Sequence, residues 1–580
     1  MRKEFSLSND KVTINFTAKY CDSFESIMNS EGFKRIVEAY LNKAKDKKTH
    51  NFKFLKNSLG TDDVKLLRCE LIGAFKLLSM MKAEEVIAVN TKYELLLETE
   101  SKLLAVIEDI YSFWRKMERY TVIHNNKVKA GIAAVSFAEA NTSFSQLILR
   151  FYRRITKNLL NESPRVYRQV PAGGNACLML NEVLWPIPSG YEVLENIGFI
   201  DSISLETPFI TYPKRNTRDG MFNETFENPI KGMNINKDHW FCYPIKVGSL
   251  IAHIYFHRDF MSHGITLCNL FEMAKPSEYR GKKPDLIYAY GDKDGDEVKT
   301  VFYNDKKNDL MVGYVNYSEN VDYFGYMKKM ILTLHNLVMI QRESLPVHGA
   351  MVKILLKSGK EANVVIMGDS GAGKSESLEA FRTLSEDYIS EMTIVFDDMG
   401  RISIENDNVY GYGTEIGAFV RLDDLDPGYA FKEIDRSIFM NPDKINARLV
   451  IPVATYEEIM EGYKVDLFLY ANNYTDVSDG RDSISYFKTP KDAIDTFRRG
   501  ARVAKGTTTE LGLVESYFAN PFGPAQKSEE CDILLERYFN KMFEKDVKVG
   551  EINTCLAISG MEKEGPKKAA LELFEIIKNL

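Results

Sequence analysis

Residues 363–375 read Asn-Val-Val-Ile-Met-Gly-Asp-Ser-Gly-Ala-Gly-Lys-Ser. The first five residues have the apolar, β-branched character of a buried strand, and residues 376–383 are typical of a helix. A strand, a glycine-rich turn of the pattern GxxxxGK[S/T] and a helix, in this order, indicate a phosphate-binding loop. The stretch therefore predicts an α/β fold with a nucleotide-binding site.

The loop itself supplies most of the expected phosphate contacts. Its glycines let the backbone curl so that successive N–H groups point at phosphate oxygens. The Lys374 amine would reach the β- and γ-phosphates, and the Ser375 hydroxyl would hold Mg²⁺. A glycine-rich turn with only a structural role is the alternative. The predicted nucleotide-binding residues are Gly368, Asp369, Ser370, Gly371, Ala372, Gly373, Lys374 and Ser375.

Two adjacent carboxylates follow the next apolar strand. Residues 391–398 read Glu-Met-Thr-Ile-Val-Phe-Asp-Asp, so Asp397 and Asp398 stand where that strand ends. In a domain with a phosphate-binding loop, an acidic metal ligand is expected at this point. Paired aspartates in a turn are often only solvated caps, which is the alternative. The position of the pair after the loop favours metal binding.

Composition excludes several classes of protein. The chain has 580 residues, of which 44% are hydrophobic and 27% charged, as in globular proteins and unlike disordered or fibrous chains. Its formal net charge of −7 gives no overall attraction to nucleic acid or to an anionic membrane. The seven cysteines include no Cys-x-x-Cys pair, which argues against a zinc ribbon or a disulfide framework. The chain begins without an apolar signal segment and has no apolar stretch that could span a bilayer, so we expect a cytoplasmic protein.

Periodicity divides the chain into three segments. Residues 1–155 are predicted to be mostly helical, because apolar residues recur three and four apart over 64–81, 96–114 and 144–158. In residues 156–345, prolines separate short apolar stretches that are typical of strands. The clearest of these stretches are residues 177–180, 209–212 and 250–256. Residues 346–580 contain the phosphate-binding loop and form the third segment.

Three further motifs flank the loop. Tyr323-Phe-Gly-Tyr-Met-Lys-Lys329 begins a predicted helix, His348 lies in a predicted strand over 347–356, and Arg448 stands in Asn-Ala-Arg. Taken singly, a lysine pair usually lies on a solvated helix face and a lone histidine is usually structural. His253 and His257 have the spacing of a helical metal pair, but their strand-like surroundings favour a structural role.

Taken in order, Tyr-x-Gly-x-Met-Lys-Lys, an isolated His, the phosphate-binding loop, Asp-Asp and Asn-x-Arg resemble phosphoenolpyruvate carboxykinase, most closely its ATP-dependent branch. The resemblance covers about 320–580, including Gly506–Gly512, Asn520–Pro524 and Ile552–Thr554. It is thin over 160–320 and absent from 1–155. It implies a two-lobed catalytic core, with a substrate-side N-lobe over 156–345 and a nucleotide-binding C-lobe over 346–580, preceded by an extra helical domain of unknown role.

The resemblance also implies roles for matching residues. Lys329, His348 and Asp398 match a Mn²⁺ site, and Asp397 is a further candidate metal ligand. Lys374 and Ser375 match contacts to the nucleotide phosphates and Mg²⁺. A lysine binds a metal only as the free amine, so the pKa of Lys329 must fall from its usual value of about 10.4. Cationic neighbours favour such a fall.

The substrate side of the implied site is basic. Arg448 matches the arginine that contacts the transferring phosphoryl group, and Tyr323 and Lys328 match substrate-side residues. Arg215 is the preferred match to the arginine that binds the oxaloacetate carboxylate, and Arg218 is the competing choice. The implied reaction converts oxaloacetate and a nucleoside triphosphate into phosphoenolpyruvate and CO₂, with Mn²⁺ and Mg²⁺ as cofactors.

Departures from the family pattern leave the phosphoryl donor open. Tyr326 replaces a glutamate of the family, and the residues after Thr554 lack its Gly-Lys-Arg-rich adenine loop. ATP, GTP and pyrophosphate are therefore all candidate donors.

Other functions also remain open. The kinase/phosphorylase of the histidine-containing phosphocarrier protein shares Val-His-Gly, the phosphate-binding loop and Asp-Asp, and there His348 and Asp398 would assist a serine nucleophile. Another small-molecule kinase and a non-catalytic nucleotide sensor are the remaining alternatives. The sequence does not indicate the oligomeric state.

Overall fold

The computed structural model describes residues 3–580 except 9, 125–131, 162–170, 294–296, 370, 375–376, 378–379, 382–387, 426, 478–479 and 505–511. The chain divides into two compact units. The first comprises Met1–Glu182 and Ile200–Glu206, and the second comprises Val183–Phe199 and Thr207–Leu580. Both units combine helices with sheets, so the expected mixed α/β class is confirmed. The three-part division at residues 155 and 345 stays a prediction.

The described part of the first unit is mostly helical, as expected. Its helices are α1 (Phe24–Asn29), α2 (Glu31–Asp46), α3 (His50–Leu59), α4 (Val64–Leu78), α5 (Ala83–Val89), α6 (Glu94–Leu97), α7 (Glu100–Lys116) and α8 (Ile132–Leu160). The sequence sets their ends. The Asp63 side chain accepts hydrogen bonds from the Lys65 and Leu66 amides at the start of α4, and Gly60 ends α3 in the left-handed conformation.

Within its described residues, the first unit also contains four complete strands, of which only the last was predicted. They are β1 (Phe5–Ser8), β2 (Lys11–Asn15), β3 (Glu118–His124) and β4 (Ala176–Asn181). The β1–β2 pair is antiparallel, whereas β3 runs parallel to both β2 and β4. The helices share one apolar core in which Leu55, Leu71 and Leu103 are fully buried. The first unit is thus a helical layer with a small mixed sheet.

The second unit contains most of the strands. In chain order they are β5 (Gly198–Leu205, of which only Gly198 and Phe199 belong to this unit), β6 (Phe209–Thr211), β7 (Asn223–Glu224), β8 (Trp240–Val247), β9 (Leu250–His257), β10 (Glu272–Met273), β11 (Leu286–Asp292), β12 (Thr300–Asp305), β13 (Leu310–Asn316), β14 (Leu345–Leu356), β15 (Glu361–Met367), β16 (Ile389–Phe396), β17 (Met399–Glu405), β18 (Asn408–Gly413), β19 (Gly417–Arg421), β20 (Ile438–Met440), β21 (Arg448–Pro452), β22 (Tyr463–Lys464), β23 (Leu467–Asn472), β24 (Ile484–Tyr486), β25 (Ala501–Val503), β26 (Leu513–Glu515) and β27 (Lys548–Asn553). The strands predicted around residues 177–180, 209–212, 250–256, 347–356 and 363–367 are confirmed as β4, β6, β9, β14 and β15.

These strands form several sheets. One has the order β5-β8-β9-β11-β13-β12-β7, with β10 on β8. Another has the order β22-β18-β17-β14-β15-β23-β27-β24, with β16 on β14. The order β19-β21-β20-β6 forms a smaller sheet, and β25 pairs with β26. In the second of these sheets, β15, β23 and β27 run parallel, which is the arrangement expected around a phosphate-binding loop.

The helices of the second unit include one that is buried on all sides. The helices of the second unit are α9 (Met261–Thr266), α10 (Pro276–Tyr279), α11 (Phe324–Gln341), α12 (Pro427–Lys432), α13 (Tyr456–Met460), α14 (Pro490–Arg499), α15 (Ser528–Glu544) and α16 (Glu564–Lys578). The predicted helix after Tyr323 is confirmed as α11, in which every residue except Lys329 and Gln341 is buried. A helix buried all round lies in the core of a large domain, so α11 offers a rigid support for a site. Among the described residues, no helix has the length and apolar character required to cross a bilayer.

Candidate active site

Three predicted metal ligands converge in the second unit. The Lys329 Nζ lies 2.8 Å from both carboxylate oxygens of Asp398. The His348 Nε2 lies 3.0 Å from Asp398 Oδ1. An amine nitrogen, an imidazole nitrogen and a carboxylate, which come from α11, β14 and the turn after β16, therefore meet at one point.

Strand pairing brings these residues together. β14 is the common neighbour of β15, β16 and β17. The Gly349 amide donates to the Asp398 carbonyl at 3.0 Å, and the Gly368 amide donates to the His348 carbonyl at 3.0 Å. Backbone hydrogen bonds of His348 and its neighbour thus set the positions of both the acidic turn and the start of the phosphate-binding loop.

The tautomer of His348 leaves room for a cation. Its Nδ1 lies 2.8 Å from the Ala519 carbonyl, which can only accept, so Nδ1 carries the proton. The pKa of His348 is lowered to about 4, mainly by burial and also by Lys374 and Lys329, while Asp398 opposes the fall. A neutral ring protonated on Nδ1 turns the lone pair of Nε2 toward the Asp398 carboxylate. Two acceptors 3.0 Å apart repel each other, so this arrangement is suited to a bound cation.

The two lysines differ in charge state although they share Asp398. Lys328 Nζ lies 2.6 Å from Asp398 Oδ2 and 3.4 Å from Glu415 Oε2. Burial opposes the charge on Lys328, but the two carboxylates outweigh it and raise the pKa to about 12. The pKa of Lys329 is lowered to about 8, mainly because burial disfavours the charged amine. Asp398 opposes this fall, and the positive charges of Lys328 and Lys374 add to it. Lys328 is therefore the fixed cation and Lys329 the amine that can be deprotonated, as a metal-binding lysine must be.

The carboxyl groups of the cluster also differ. Burial would raise the pKa of Asp398, but Lys328 and Lys329 hold it well below its usual range. The pKa of Glu415 is raised to about 7, mainly because burial disfavours the charged carboxylate. Lys328 opposes this rise, and the negative charge of Asp398 adds to it. Asp398 is thus the permanent anion at the centre, and Glu415 is a second carboxyl group whose nearest cation is Lys328.

Hydrogen bonds to neighbouring segments hold the phosphate-binding loop in place. The Asn473 side chain donates to the Gly371 carbonyl at 2.9 Å, and the Thr554 hydroxyl donates to the Ala372 carbonyl at 3.1 Å. At Gly373 the φ of +110° and the closeness of Thr554, 2.6 Å from where a Cβ would lie, both require glycine.

The charged residues of the loop face the cluster. Asp369 pairs with the buried Arg502 at 3.1 Å, and Asp369 Oδ1 lies 3.5 Å from His348 Nδ1. Burial lowers the pKa of Lys374, while Asp398 and Asp369 oppose this fall. Lys374 therefore lies within electrostatic reach of the proposed metal ligands. Ser370 and Ser375, together with residues 506–511 of Gly506–Gly512, lie outside the described residues, as does most of the helix predicted over 376–383.

Two phenylalanine rings make cation–π contacts with the basic side chains of the site. Lys329 Nζ lies 4.4 Å and Arg218 Cζ 5.0 Å from the Phe522 ring centre. Lys328 Nζ lies 5.7 Å and Arg448 Cζ 5.2 Å from the Phe419 ring centre. Such contacts orient cations without neutralising them. They leave the charges available for an anionic substrate.

The predicted substrate-side residues lie in different surroundings. The Tyr323 ring is 6.0 Å from Phe419, and Gly325 allows this approach because its Cβ would lie 2.3 Å from the tyrosine ring. Arg448 Nε has no hydrogen-bond partner among the described residues. Asp397 exerts a charge effect on Lys328 and Lys374.

The two candidate carboxylate-binding arginines are separated by the structure. Arg215 is exposed, and its guanidinium hydrogen-bonds to Asn320. Arg218 lies over Phe522, and burial lowers its pKa. The Tyr326 hydroxyl, where the family has a glutamate, accepts a hydrogen bond from the Asp219 amide at 3.1 Å and so holds the segment that carries Arg218. Arg218 rather than Arg215 thus shares an aromatic ring with Lys329.

Several residues of the site were missed by sequence reasoning. Glu415, Phe419, Arg502 and Asn473 belong to no motif that was recognised, and Phe522 was noted only as part of Asn520–Pro524. The one available signal was the charge of Glu415 within an otherwise apolar segment. Histidine, cysteine and acidic residues form no metal-binding group of three within the described parts of the chain, because one donor of the candidate site is a lysine.

The two weaker histidine candidates do not form such a site. His253 lies edge-on to Trp185 and Phe199, at ring-centre distances of 5.2 and 5.0 Å. His257 Nδ1 accepts a hydrogen bond from the Asp259 amide at 3.2 Å. Both residues are buried on β9 among aromatic side chains.

Comparison with other proteins adds no family assignment. No protein-family model matches the chain, and a search of curated proteins found no relative. The functional argument therefore rests on the geometry of the site and on the short motifs.

Proposed function

We propose that this chain is a phosphoenolpyruvate carboxykinase-like enzyme with a two-lobed carboxykinase-like core. The observation that carries the proposal is the meeting of Lys329, His348 and Asp398 beside Lys374 of the phosphate-binding loop. A kinase that uses only a phosphate-binding loop does not need a lysine amine at its metal site. The proposed reaction breaks the C–C bond to the leaving CO₂, and the electron pair of that bond forms the enolate. The enolate oxygen then bonds to the γ-phosphorus of a nucleoside triphosphate while the bond from that phosphorus to the β–γ bridging oxygen breaks, so that the nucleoside diphosphate leaves.

The donor set fits a divalent metal ion. Lys329, His348 and Asp398 offer two nitrogens and a carboxylate oxygen, a mixed set that Mn²⁺ accepts. Ser375 and Asp397 are the residues proposed for Mg²⁺ at the nucleotide. The metal ions would act as Lewis acids toward the enolate and phosphate oxygens and would orient both reactants.

The residues of the chain would do the remaining work. Lys374 and Arg448 would neutralise charge on the transferring phosphoryl group, since phosphoryl transfer depends on alignment and electrostatic stabilisation. Lys328, fixed between Asp398 and Glu415, would keep the site positive after Lys329 has lost its proton. Arg218 would bind the substrate carboxylate, and Tyr323 would line the same space.

A protein kinase is the second candidate, and one observation favours it. The Asp398 carboxylate, 3.0 Å from His348 Nε2, could accept the proton of a serine hydroxyl. In the structure, however, Asp398 also contacts both lysines, and a serine-activating base would not require them. The carboxykinase-like reaction accounts for more of the site.

A direct assay tests the proposal. Purified protein with Mn²⁺, Mg²⁺ and oxaloacetate is supplied separately with ATP, GTP or pyrophosphate, and phosphoenolpyruvate is measured. We expect product with at least one donor, and the productive donor is then the second substrate of the enzyme. Lys374→Ala should abolish product formation. Absence of product with every donor would overturn the proposal and leave the kinase or the nucleotide sensor.

Metal binding gives an independent test. Lys329→Met and His348→Gln each remove one proposed ligand. Loss of a residue that only supports a metal ligand typically weakens metal binding about 10- to 100-fold, so loss of a ligand itself should weaken Mn²⁺ binding by more than this. Free Mn²⁺ is measured by electron paramagnetic resonance. Lys353→Met, on the same strand as His348 but on the protein surface, is the control and should bind Mn²⁺ like the wild type. Equal affinity in all four proteins would remove the ligand assignment.

A further inference from the structure

A pocket of about 120 Å³ lies inside the first unit, and all of its walls lie between Glu4 and Ile155. Side chains from β1, β2, α1, α2, α4, α7 and α8 form these walls. Apolar side chains in these walls include Phe33, Phe75, Ile107, Trp114, Phe144 and Phe151. The proposed reaction in the second unit assigns no role to this pocket.

The aromatic walls are held by contacts outside the pocket. The Phe151 ring packs against Phe24 at 5.4 Å with a tilt of 50°, and Phe144 meets Phe16 edge-on at 5.2 Å. The Trp114 indole N–H donates to the Ala172 carbonyl at 2.9 Å. Because these rings are anchored elsewhere, they cannot swing inward to fill the space. The pocket is therefore preformed, as ligand sites usually are.

Most polar groups in the walls are already engaged, and the exception is the Tyr111 hydroxyl, which is buried without a hydrogen-bond partner among the described residues. The Ser30 hydroxyl donates to a backbone carbonyl of α1 at 2.6 Å, and the Cys21 thiol donates to another backbone carbonyl at 3.5 Å. Glu4 accepts a hydrogen bond from the first amide of α2 at 2.7 Å. These groups have little hydrogen-bonding capacity left for an occupant. The chemistry of the walls thus selects an apolar molecule.

The pocket is accessible from solvent. Lys19, Ile148, Tyr111 and Tyr152 line it and are each partly exposed. The two tyrosine rings stack at 4.1 Å and form one side of this entrance. A small molecule can therefore enter without unfolding of the helical layer.

The size of the pocket limits the occupant. An apolar protein cavity of about 150 Å³ stays dry and binds benzene. At about 120 Å³ the pocket admits one ring but neither a helix nor a peptide segment. We propose that the first unit is a binding site for an uncharged apolar molecule of the size of a single ring. The inference concerns the first unit alone and stands independently of the proposed reaction.

Toluene is a suitable probe with the full-length protein. We expect saturable binding by calorimetry and an unfolding midpoint that rises with toluene concentration, because a ligand that binds only the folded state stabilises it. Naphthalene, with two fused rings, should bind the wild type at least about tenfold more weakly than toluene. Absence of saturable toluene binding, or equal affinity for naphthalene, would overturn the proposal.

Two variants locate the binding. Ile148→Phe places an extra ring into the pocket and should weaken toluene binding at least about tenfold. Ile72→Phe is the matched control, because Ile72 packs against the same core without lining the pocket, and it should bind toluene like the wild type. Phe75→Leu should enlarge the pocket and improve naphthalene binding. Unchanged toluene binding in Ile148→Phe would place the ligand elsewhere and refute the assignment.

Discussion

Arg218 and Arg215 provide a matched pair of residues with opposite surroundings. Arg218 lies over Phe522 near Lys329, whereas Arg215 is exposed and bonded to Asn320. A hydrogen bond to a charged group contributes about 1.5–3 kcal/mol, which corresponds to at least about a tenfold change in affinity. Arg218→Ala should therefore raise the KM for oxaloacetate at least about tenfold. Arg215→Ala should leave the KM for oxaloacetate nearly unchanged. If steady-state kinetics showed the larger rise in KM for Arg215→Ala, Arg215 would be the residue that binds the substrate carboxylate.

Lys328 is expected to be essential for stability, because it is a buried cation between two carboxylates. Removing one partner of a buried ion pair costs about 3–5 kcal/mol, since the remaining charge is left unpaired. We expect that loss in the free energy of unfolding of Lys328→Met, measured by urea denaturation. Lys328→Met combined with Glu415→Gln should recover part of it, because one of the stranded carboxylates is gone.

The exposed pair Arg537–Glu343 is the control for this measurement. Its N–O distance is 2.7 Å, and both side chains are more than half exposed. Arg537→Met should cost less than about 1 kcal/mol, as surface ion pairs do. If Lys328→Met were equally mild, or if the double variant were no more stable than the single one, Lys328 and Glu415 would not form a coupled buried pair.

At the scale of elements, the phosphate-binding loop depends on its close contact with Thr554. Gly373→Ala would place a Cβ 2.6 Å from Thr554 Oγ1 at a φ of +110°. Backbone strain of this kind costs about 1–3 kcal/mol, and the clash adds to it. The variant should therefore bind a fluorescent ATP analogue at least about tenfold more weakly in a fluorescence titration.

Gly359 is the matched control for the loop glycine. It has a φ of +83° in the turn between β14 and β15, and a Cβ there would have no neighbour within 4 Å. Gly359→Ala should thus introduce a similar backbone strain without affecting nucleotide affinity. Equal affinities for the two alanine variants would show that the contact with Thr554 does not shape the loop.

Sequence patterns predicted those elements whose signal is local. The apolar spacing around Met330 gave α11, and the apolar stretches gave β14 and β15. The predicted helix over 96–114 is divided into α6 and α7, because Thr99 has a non-helical ψ of 72°. Strands β1, β2 and β3 of the first unit were missed because they are short and because β2 and β3 pair with each other across a long stretch of chain, as Val12 does with Arg119.

In the candidate site, too, only residues with a local sequence signal could be predicted. Lys329, His348 and Asp398 could be predicted because each stands in a short motif of distinctive order. Glu415 and Phe522 could not, because only tertiary packing brings them to Lys328 and Lys329. No local pattern distinguishes one buried glutamate or phenylalanine from another.

At the scale of the whole molecule, buried neutral histidines make stability depend on pH. Burial lowers the pKa of His253 to about 3. Burial likewise lowers the pKa of His335 to about 3, with a small opposing effect from Asn336. Neither ring is close to the proposed metal ligands in the chain, since His335 lies more than one helical turn after Lys329. Both residues therefore fold in the uncharged form.

The sign of the effect follows from the direction of these shifts. In the unfolded chain a histidine takes up its proton near pH 6.5, whereas in the folded chain these two do so only near pH 3. Their contribution to stability is complete above pH 6.5 and is lost as the pH falls toward 3. Each residue should lower the free energy of unfolding by about 1.4 kcal/mol per pH unit within that window.

His253→Phe removes one group that takes up a proton on unfolding. The free energy of unfolding of this variant should therefore depend less steeply on pH than that of the wild type. Between pH 6.5 and pH 5 the wild type should lose about 2 kcal/mol more than this variant, measured by urea denaturation at several pH values. Phe199→Leu, which truncates a ring in contact with His253, is the control and should lower stability equally at all these pH values. Parallel pH profiles for the wild type and His253→Phe would contradict the prediction, because they would require His253 to be protonated in the folded protein as readily as in the unfolded chain.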